Sequence, residues 1–154
     1  MKVITSFIDS KGRPVVTLYV SPSEPQIEAR QAIGERSPPP VGIVAMVDTG
    51  ASRSFVQRSV IEQLGVEPVG EDLVYTASSG PEPELIGVYA VQMFFPGMTG
   101  GVLDPDLRVI GSDGMVGLGV QALIGRDLLG RCLLFWNGPE SQFTLAFSPP
   151  ENLS

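Results

Sequence analysis

The sequence predicts an all-β fold, a barrel or sandwich of short strands. Gly 18 and Pro 14 in 154 residues are high counts, and both are spread along the chain, dividing it into short runs between turns. Most apolar runs between those turns are either continuous or alternating, the patterns of buried and half-buried strands. Helical spacing surfaces in only one or two short places, which leaves strands as the dominant element.

Lys2 to Ile8 reads as a strand and Asp9-Ser10-Lys11-Gly12 as a turn, with Val15 to Val20 returning to complete a hairpin. Ser21 to Pro40, SPSEPQIEARQAIGERSPPP, is polar and proline-rich, and reads as an exposed loop with at most one helical turn around Ile27 to Ala32. Val41 to Val47 is nearly continuous apolar sequence, as a strand buried on both sides requires. After the turn DTG, Phe55, Val56, Val60, Ile61 and Leu64 recur at helical spacing; a short helix from Gln57 to Leu64 follows, with Gly65 as its C-cap.

Asp72 to Ala77 and Glu84 to Phe95 form a second hairpin around SSGPEP. PGMTGGVLDPD reads as a loop, Leu107 to Ile110 as a brief strand, and SDGMVGLG as a glycine-rich turn. Val120 to Ile124 is a second buried run, followed by GRDLLG. Arg131 to Trp136 and Gln142 to Phe147 make the last strand pair, around NGPES. The expectation is one domain over 1–154, with its core at about 14–147, an exposed loop at 21–40 and a frayed tail at 148–154.

Composition removes whole classes of function. His 0 rules out Ser-His-Asp and Cys-His catalysis and histidine metal sites, leaving carboxylates, hydroxyls, lysine or arginine to do any chemistry. The single cysteine, Cys132, has no internal partner and sits beside Leu133, Leu134 and Phe135, as a buried, inert thiol would. A net charge of -7 argues against a phosphate-binding surface, and Phe135 and Trp136 lack the basic neighbours that nucleic-acid stacking needs. No HExxH, Walker or Rossmann motif is present, and no cofactor is expected. The opening apolar stretch is too short before Asp9 and Lys11 for a signal peptide, and no run approaches membrane-spanning length, so a cytoplasmic protein without membrane contact is expected.

Asp48 is the residue on which function turns. An aspartate between a strand and Thr-Gly is an ordinary turn former. Here, however, the strand leading in is apolar enough to be central, which carries the carboxylate towards the interior. Gly50 and Ala51 leave room beside it for a substrate or a second chain. A lone buried carboxylate is costly unless it is hydrogen-bonded or shares a proton.

VDTGAS behind an apolar strand resembles the active-site signature of the retroviral-type aspartic proteases, the retropepsins. The late strand–glycine–helix element of that family resembles ALIGRDLLGR, Ala122 to Arg131, and its flap resembles DLVYTASSGPEPELIGVYAV, Asp72 to Val91. Order and rough spacing agree from about Pro14 to Phe147. The resemblance implies a retropepsin-like barrel with one short helix in its C-terminal half and a flap hairpin. It implies an aspartic endopeptidase acting on a peptide or protein substrate with no cofactor or metal. In such a site two aspartates about 3 Å apart share one proton; one activates a water and the other protonates the peptide carbonyl.

Only one DTG is present, so Asp48 requires its counterpart from a second copy in a homodimer. Asp113, in SDG, reads as a turn former, and Asp127 as a cap or ion-pair partner near the short helix. By resemblance Thr49 joins a hydroxyl network across the twofold axis. Gly50 offers its carbonyl and close approach, Ala51 lines the loop, and Ser52 takes a position often acidic in viral members. Gly125 and Arg126 support the loop, with Asp127, Glu62 or another carboxylate open as the partner of Arg126. Ala77, Ser78, Ser79 and Gly80 are the flap-tip candidates, with Pro81 and Pro83 departing from the viral pattern. Val47, Val74, Ile86, Leu123 and Ile124 are candidates for apolar subsites and equally for plain core. Gln142 to Phe147 is a candidate for interleaving across the dimer axis. The competing readings are a non-catalytic dimerisation or peptide-binding module that keeps the fold, and an unrelated small barrel with a coincidental DTG.

Overall fold

The computed structural model describes residues 1–75 and 80–148. Its strands are β1 (Lys2–Ile8), β2 (Pro14–Pro22), β3 (Val41–Val47), β4 (Phe55–Gln57), β5 (Gly70–Val74), β6 (Glu84–Phe94), β7 (Val102–Ser112), β8 (Ala122–Ile124), β9 (Cys132–Asn137) and β10 (Gln142–Phe147). Three short helices interrupt them: α1 (Glu24–Ala32), α2 (Arg58–Leu64) and α3 (Arg126–Leu129), with a single 3-10 turn at Val116–Leu118.

The strands run in the order β5-β6-β7-β4-β8-β3-β2-β1-β10-β9, and β6 also pairs with β2. That extra pairing, Tyr19 to Pro22 against Phe94 to Val91, closes β2, β6, β7, β4, β8 and β3 into a six-stranded barrel. Closure removes edges that would otherwise be left open. β5 extends the ring on one side; β1, β10 and β9 extend it on the other as an antiparallel sheet.

Inside the barrel Leu18, Val20, Ala45, Val56, Val109 and Ile124 are fully buried. Each large aliphatic buried this way contributes about 2 kcal/mol relative to exposure. β3 alternates Ile43, Ala45 and Val47 into this core with Val44 and Met46 into a smaller cluster around Val15, Met115 and Val120. The strand expected to be covered on both sides is covered on both sides. α2 docks on the barrel through Val60, Ile61 and Leu64, and ends at Gly65 in the left-handed region (φ 61), as its C-cap role requires.

The all-β expectation with one short helix is corrected to a barrel with additional strands and three short helices. α1 occupies what reads as a loop within 21–40, although none of its residues is buried. Its local signals, Ser23 ahead of the helix and Pro25 in the first turn, are those of a helix start. The first residues of that stretch are strand, and Ser21 and Ser23 are buried. Phe55 and Val56 fit a helical spacing but belong to β4, because distant partners claim their backbones: Phe55 sits beside Ile110 on one side and Leu123 on the other. β7 is an eleven-residue strand rather than a brief one. It includes Pro105, which the ladder tolerates because the register with β6 shifts there. Among the described residues no helix is long and apolar enough to cross a membrane.

Candidate active site

β3 delivers Asp48 to the end of the barrel, where the Asp48 N–H donates to the Ile124 carbonyl of β8 at 2.9 Å. Its carboxylate Oδ1 accepts the Gly50 N–H at 2.9 Å, and its carbonyl accepts the Ala51 N–H at 3.2 Å. Asp48 therefore does form the local turn expected of an Asx residue. In the single chain it is half-buried and not interior, with Thr49, Gly50 and Ser52 exposed around it. The apolar strand carries Asp48 only to the barrel rim, so the expected interior position is corrected.

A second loop locks the first. Arg126 N–H donates to the Ala51 carbonyl at 2.8 Å, and its guanidinium Nη1 donates to the Thr49 carbonyl at 2.9 Å. Arg126 thus grips the Asp48 loop by its main chain, and no ion pair to Arg126 occurs among the described residues. Gly125 lies where the two loops cross: a Cβ there would come 2.4 Å from the Arg53 carbonyl oxygen and 2.9 Å from that of Ala51. Only a glycine passes.

The sequence reading missed Ser54. This fully buried hydroxyl accepts the Gly125 N–H at 3.0 Å and donates to Asp127 Oδ1 at 2.7 Å, while the Ser54 N–H donates to Asp127 Oδ2 at 2.9 Å. Asp127 lies inside the first turn of α3, whose N-cap is Gly125, and also accepts the Leu128 N–H at 2.8 Å; it joins that helix to the Asp48 loop without capping it. A serine followed by Phe55-Val56 carries no local signal of this role, since its partners lie 71 and 73 residues away. Arg53 was also missed; it forms an ion pair with Asp72 on β5, linking the loop to the β5–β6 hairpin.

Two grooves open on the barrel, the first of them at the loop. One, of about 390 Å³, is lined by Arg13, Met46, Val47, Asp48, Leu134 and Trp136, and among the described residues Asp48 is the only carboxylate in its wall. The Arg13 guanidinium is engaged by Asp9 at 2.9 Å and by the Leu118 carbonyl at 2.5 Å. The other, of about 680 Å³, has an apolar wall of Phe55, Tyr75, Ile86, Met115 and Leu123. Arg58, Glu84 and Asp113 also line it, and Arg58 Nη1 lies 3.8 Å from Asp113 Oδ2. Of the subsite candidates, Ile86 and Leu123 line this groove and Val47 the first, while Ile124 is fully buried core and Val74 packs beside Ile86.

The hairpin expected to form a flap pairs Gly70–Val74 with Val88–Glu84. Of its tip candidates, Ala77, Ser78 and Ser79 lie outside the described residues; Gly80 is exposed, with φ 68. Cys132 is half-buried, with burial pushing its thiol pKa up against the opposing effect of Arg131, and its Sγ donates to the Leu128 carbonyl at 3.4 Å. Among the described residues no three His, Cys, Asp or Glu side chains are grouped to hold a metal ion.

No family model matches the chain, and no curated protein sequence does. Solved structures do. The retropepsin-like aspartic protease from Rickettsia conorii superposes with a TM-score of 0.59 at 16% identity, over 97% of this chain and 94% of that one. The fold is retropepsin-like. At that identity the likeness speaks for the fold alone. The retroviral protease-like domain of Ddi1 from Leishmania major overlaps more loosely, with a TM-score of 0.47 at 18% identity over 92% of this chain and 98% of that one. The assignment rests on the Rickettsia structure. In this retropepsin-like barrel, the Asp48 loop and the Gly125–Arg126 crossing lie at one end, joined by Ser54 and Asp127.

Proposed function

We propose that this chain is an aspartic endopeptidase that forms its active site in a homodimer. The supporting observation is Asp48 itself: a half-buried carboxylate on a loop held by two neighbouring strands, at the wall of a groove with no other acid among the described residues. One carboxylate cannot both take a proton from water and give one to a carbonyl; two copies of Asp48 sharing a proton can. The ionised member removes a proton from a bound water, which attacks the peptide carbonyl carbon while the protonated member donates to its oxygen. The tetrahedral intermediate then collapses as a proton passes to the leaving amine. Thr49, Gly50, Ala51 and Ser52 shape the loop, and Gly125, Arg126 and Asp127 hold it in place. The groove of Ile86, Leu123 and Phe55 suits an extended peptide with apolar side chains near the scissile bond.

Asp48→Asn tests this. The variant keeps the turn's shape and its acceptor for the Gly50 N–H, so fold and dimer should persist. Peptide-library hydrolysis should fall by at least about 100-fold, the smaller end of what general acid–base groups supply. Wild-type hydrolysis should follow a bell-shaped pH profile belonging to the pair of aspartates. Unchanged turnover in Asp48→Asn would leave a peptide-binding module as the better reading of the groove.

A further inference from the structure

The larger groove carries charge as well as an apolar wall. Beside Phe55, Ile86 and Leu123 it is lined by Arg58, Glu84 and Asp113. Arg58 and Asp113 offset one another, with Arg58 Nη1 3.8 Å from Asp113 Oδ2. Glu84 has no such partner. The ion pairs among the described residues end on Asp9, Asp72, Asp104, Asp106 and Asp113. All ten Lys and Arg residues of the chain belong to the described residues, since 76–79 and 149–154 contain neither type. No other part of the sequence can therefore supply the missing cation.

The strand gives that carboxylate a direction. Glu84 and Ile86 are two residues apart on β6, so their side chains share a face. Ile86 is buried beside Phe55 and Val74, while Glu84 is exposed about 7 Å further along the strand, at the end of the apolar wall. The ladder sets Val74 opposite Glu84, and the next residue, Tyr75, lines the same groove. An apolar wall that ends in a carboxylate and an aromatic ring suits one kind of side chain, a long apolar stem with a cationic head.

Resting on the aspartic-peptidase reading above, we propose that Glu84 is a specificity-determining residue: the groove takes a lysine or arginine side chain of the peptide substrate, with its stem along Ile86, Phe55 and Leu123 and its cation at Glu84. The substrate class is then a peptide with a basic residue near the scissile bond, not one apolar throughout. The chain's net charge of -7 draws such a peptide in from solution. In a homodimer each copy presents one such groove, so the preference falls at two positions, one on each side of the bond.

The test is a peptide set that places lysine, norleucine or glutamate at one position at a time, cleaved by wild type, Glu84→Gln and Glu84→Lys. The readout is the ratio of kcat/KM for the lysine and glutamate peptides within each preparation, so that any loss of folded protein cancels. Wild type should favour lysine over glutamate by about tenfold or more. Glu84→Gln should bring the ratio to within about threefold of one, and Glu84→Lys should invert it. Added salt should shrink the wild-type preference, because a partly exposed charge pair is screened. The wild-type profile and its salt dependence stand even where a variant fails to fold. In parallel, fluorescence anisotropy measures binding of the same peptides to Asp48→Asn and to Asp48→Asn/Glu84→Gln, which reads the groove without cleavage.

A wild-type ratio near one, or a lysine preference that survives both Glu84 substitutions, overturns the Glu84 assignment and leaves Asp48 to its own variant. Lysine-selective binding that depends on Glu84, with no hydrolysis by wild type, upholds the assignment and overturns the peptidase reading. If wild type cleaves no peptide and Asp48→Asn binds none, both fall.

Discussion

Gly125→Ala deletes no atom that makes a contact and adds one methyl group, yet it should be among the most damaging single changes in the chain. Gly125 has φ −96 and ψ −175, an extended conformation any residue adopts, so backbone freedom is not what it provides. At such a position alanine would ordinarily be neutral or mildly stabilising. The obstacle is space. The new Cβ would lie 2.4 Å from the Arg53 carbonyl oxygen, 2.6 Å from its carbon and 2.9 Å from the Ala51 oxygen, all backbone atoms. Carbon–oxygen contacts begin at about 3.3 Å, so the crossing loops must separate by roughly 1 Å.

That separation strains the packing by about 1–3 kcal/mol. It also breaks the Arg126 N–H to Ala51 carbonyl bond (2.8 Å) and the Gly125 N–H to Ser54 bond (3.0 Å). Each of these is worth about 1 kcal/mol. The sum is roughly 3–5 kcal/mol, a large share of the 5–15 kcal/mol typical of a folded domain. In a chain of this length it should lower Tm by roughly 6–20 °C. Calorimetry or a circular-dichroism melt measures this directly, and peptide hydrolysis in the folded fraction should fall as the Asp48 loop shifts. A Tm within about 2 °C of wild type would show that the crossing is not tight and would refute the argument.

Ser54→Ala leaves the buried Gly125 N–H without its acceptor and removes the hydroxyl donor to Asp127 Oδ1, and should cost about 1–3 kcal/mol in chemical denaturation; a change under about 0.5 kcal/mol would remove Ser54 from the locking network. At the β1–β2 turn, the Arg13 and Lys11 main-chain N–H groups and the Arg13 guanidinium hold the Asp9 carboxyl below the usual carboxylate range. Its folded pKa is lowered, so its contribution is present above the unfolded value and is lost as pH falls through the folded one. Asp9→Asn should therefore lower Tm near neutral pH, and the gap from wild type should close in acid; a pH-independent gap would contradict the linkage.

The order of elements along the chain was readable because it rests on local chemistry. Val41 to Val47 is apolar at every position but Gly42, and β3 occupies those residues. Gly65 stands where α2 needs a left-handed cap, and the β1–β2 hairpin follows from its Asp-Ser-Lys-Gly turn. The DTGAS loop behind a buried strand was likewise visible, as was its match to the later Gly125–Arg126 element. The sequence missed what depends on distant partners: β4, whose three residues pair on both sides with strands far along the chain, and the full length of β7, whose irregular match to β6 absorbs Pro105.

The sequence by itself determined which residue types are available for chemistry: it has no histidine, and it carries one aspartate in a DTG turn, Asp48. Only the tertiary structure decided how that aspartate is held. Ser54 meets Gly125 and Asp127 across more than 70 residues, Arg126 grips the loop through carbonyls instead of a carboxylate, and β10 is paired along both edges. Local propensity depends on neighbours a few residues away. These contacts depend on which strands the closed barrel sets side by side.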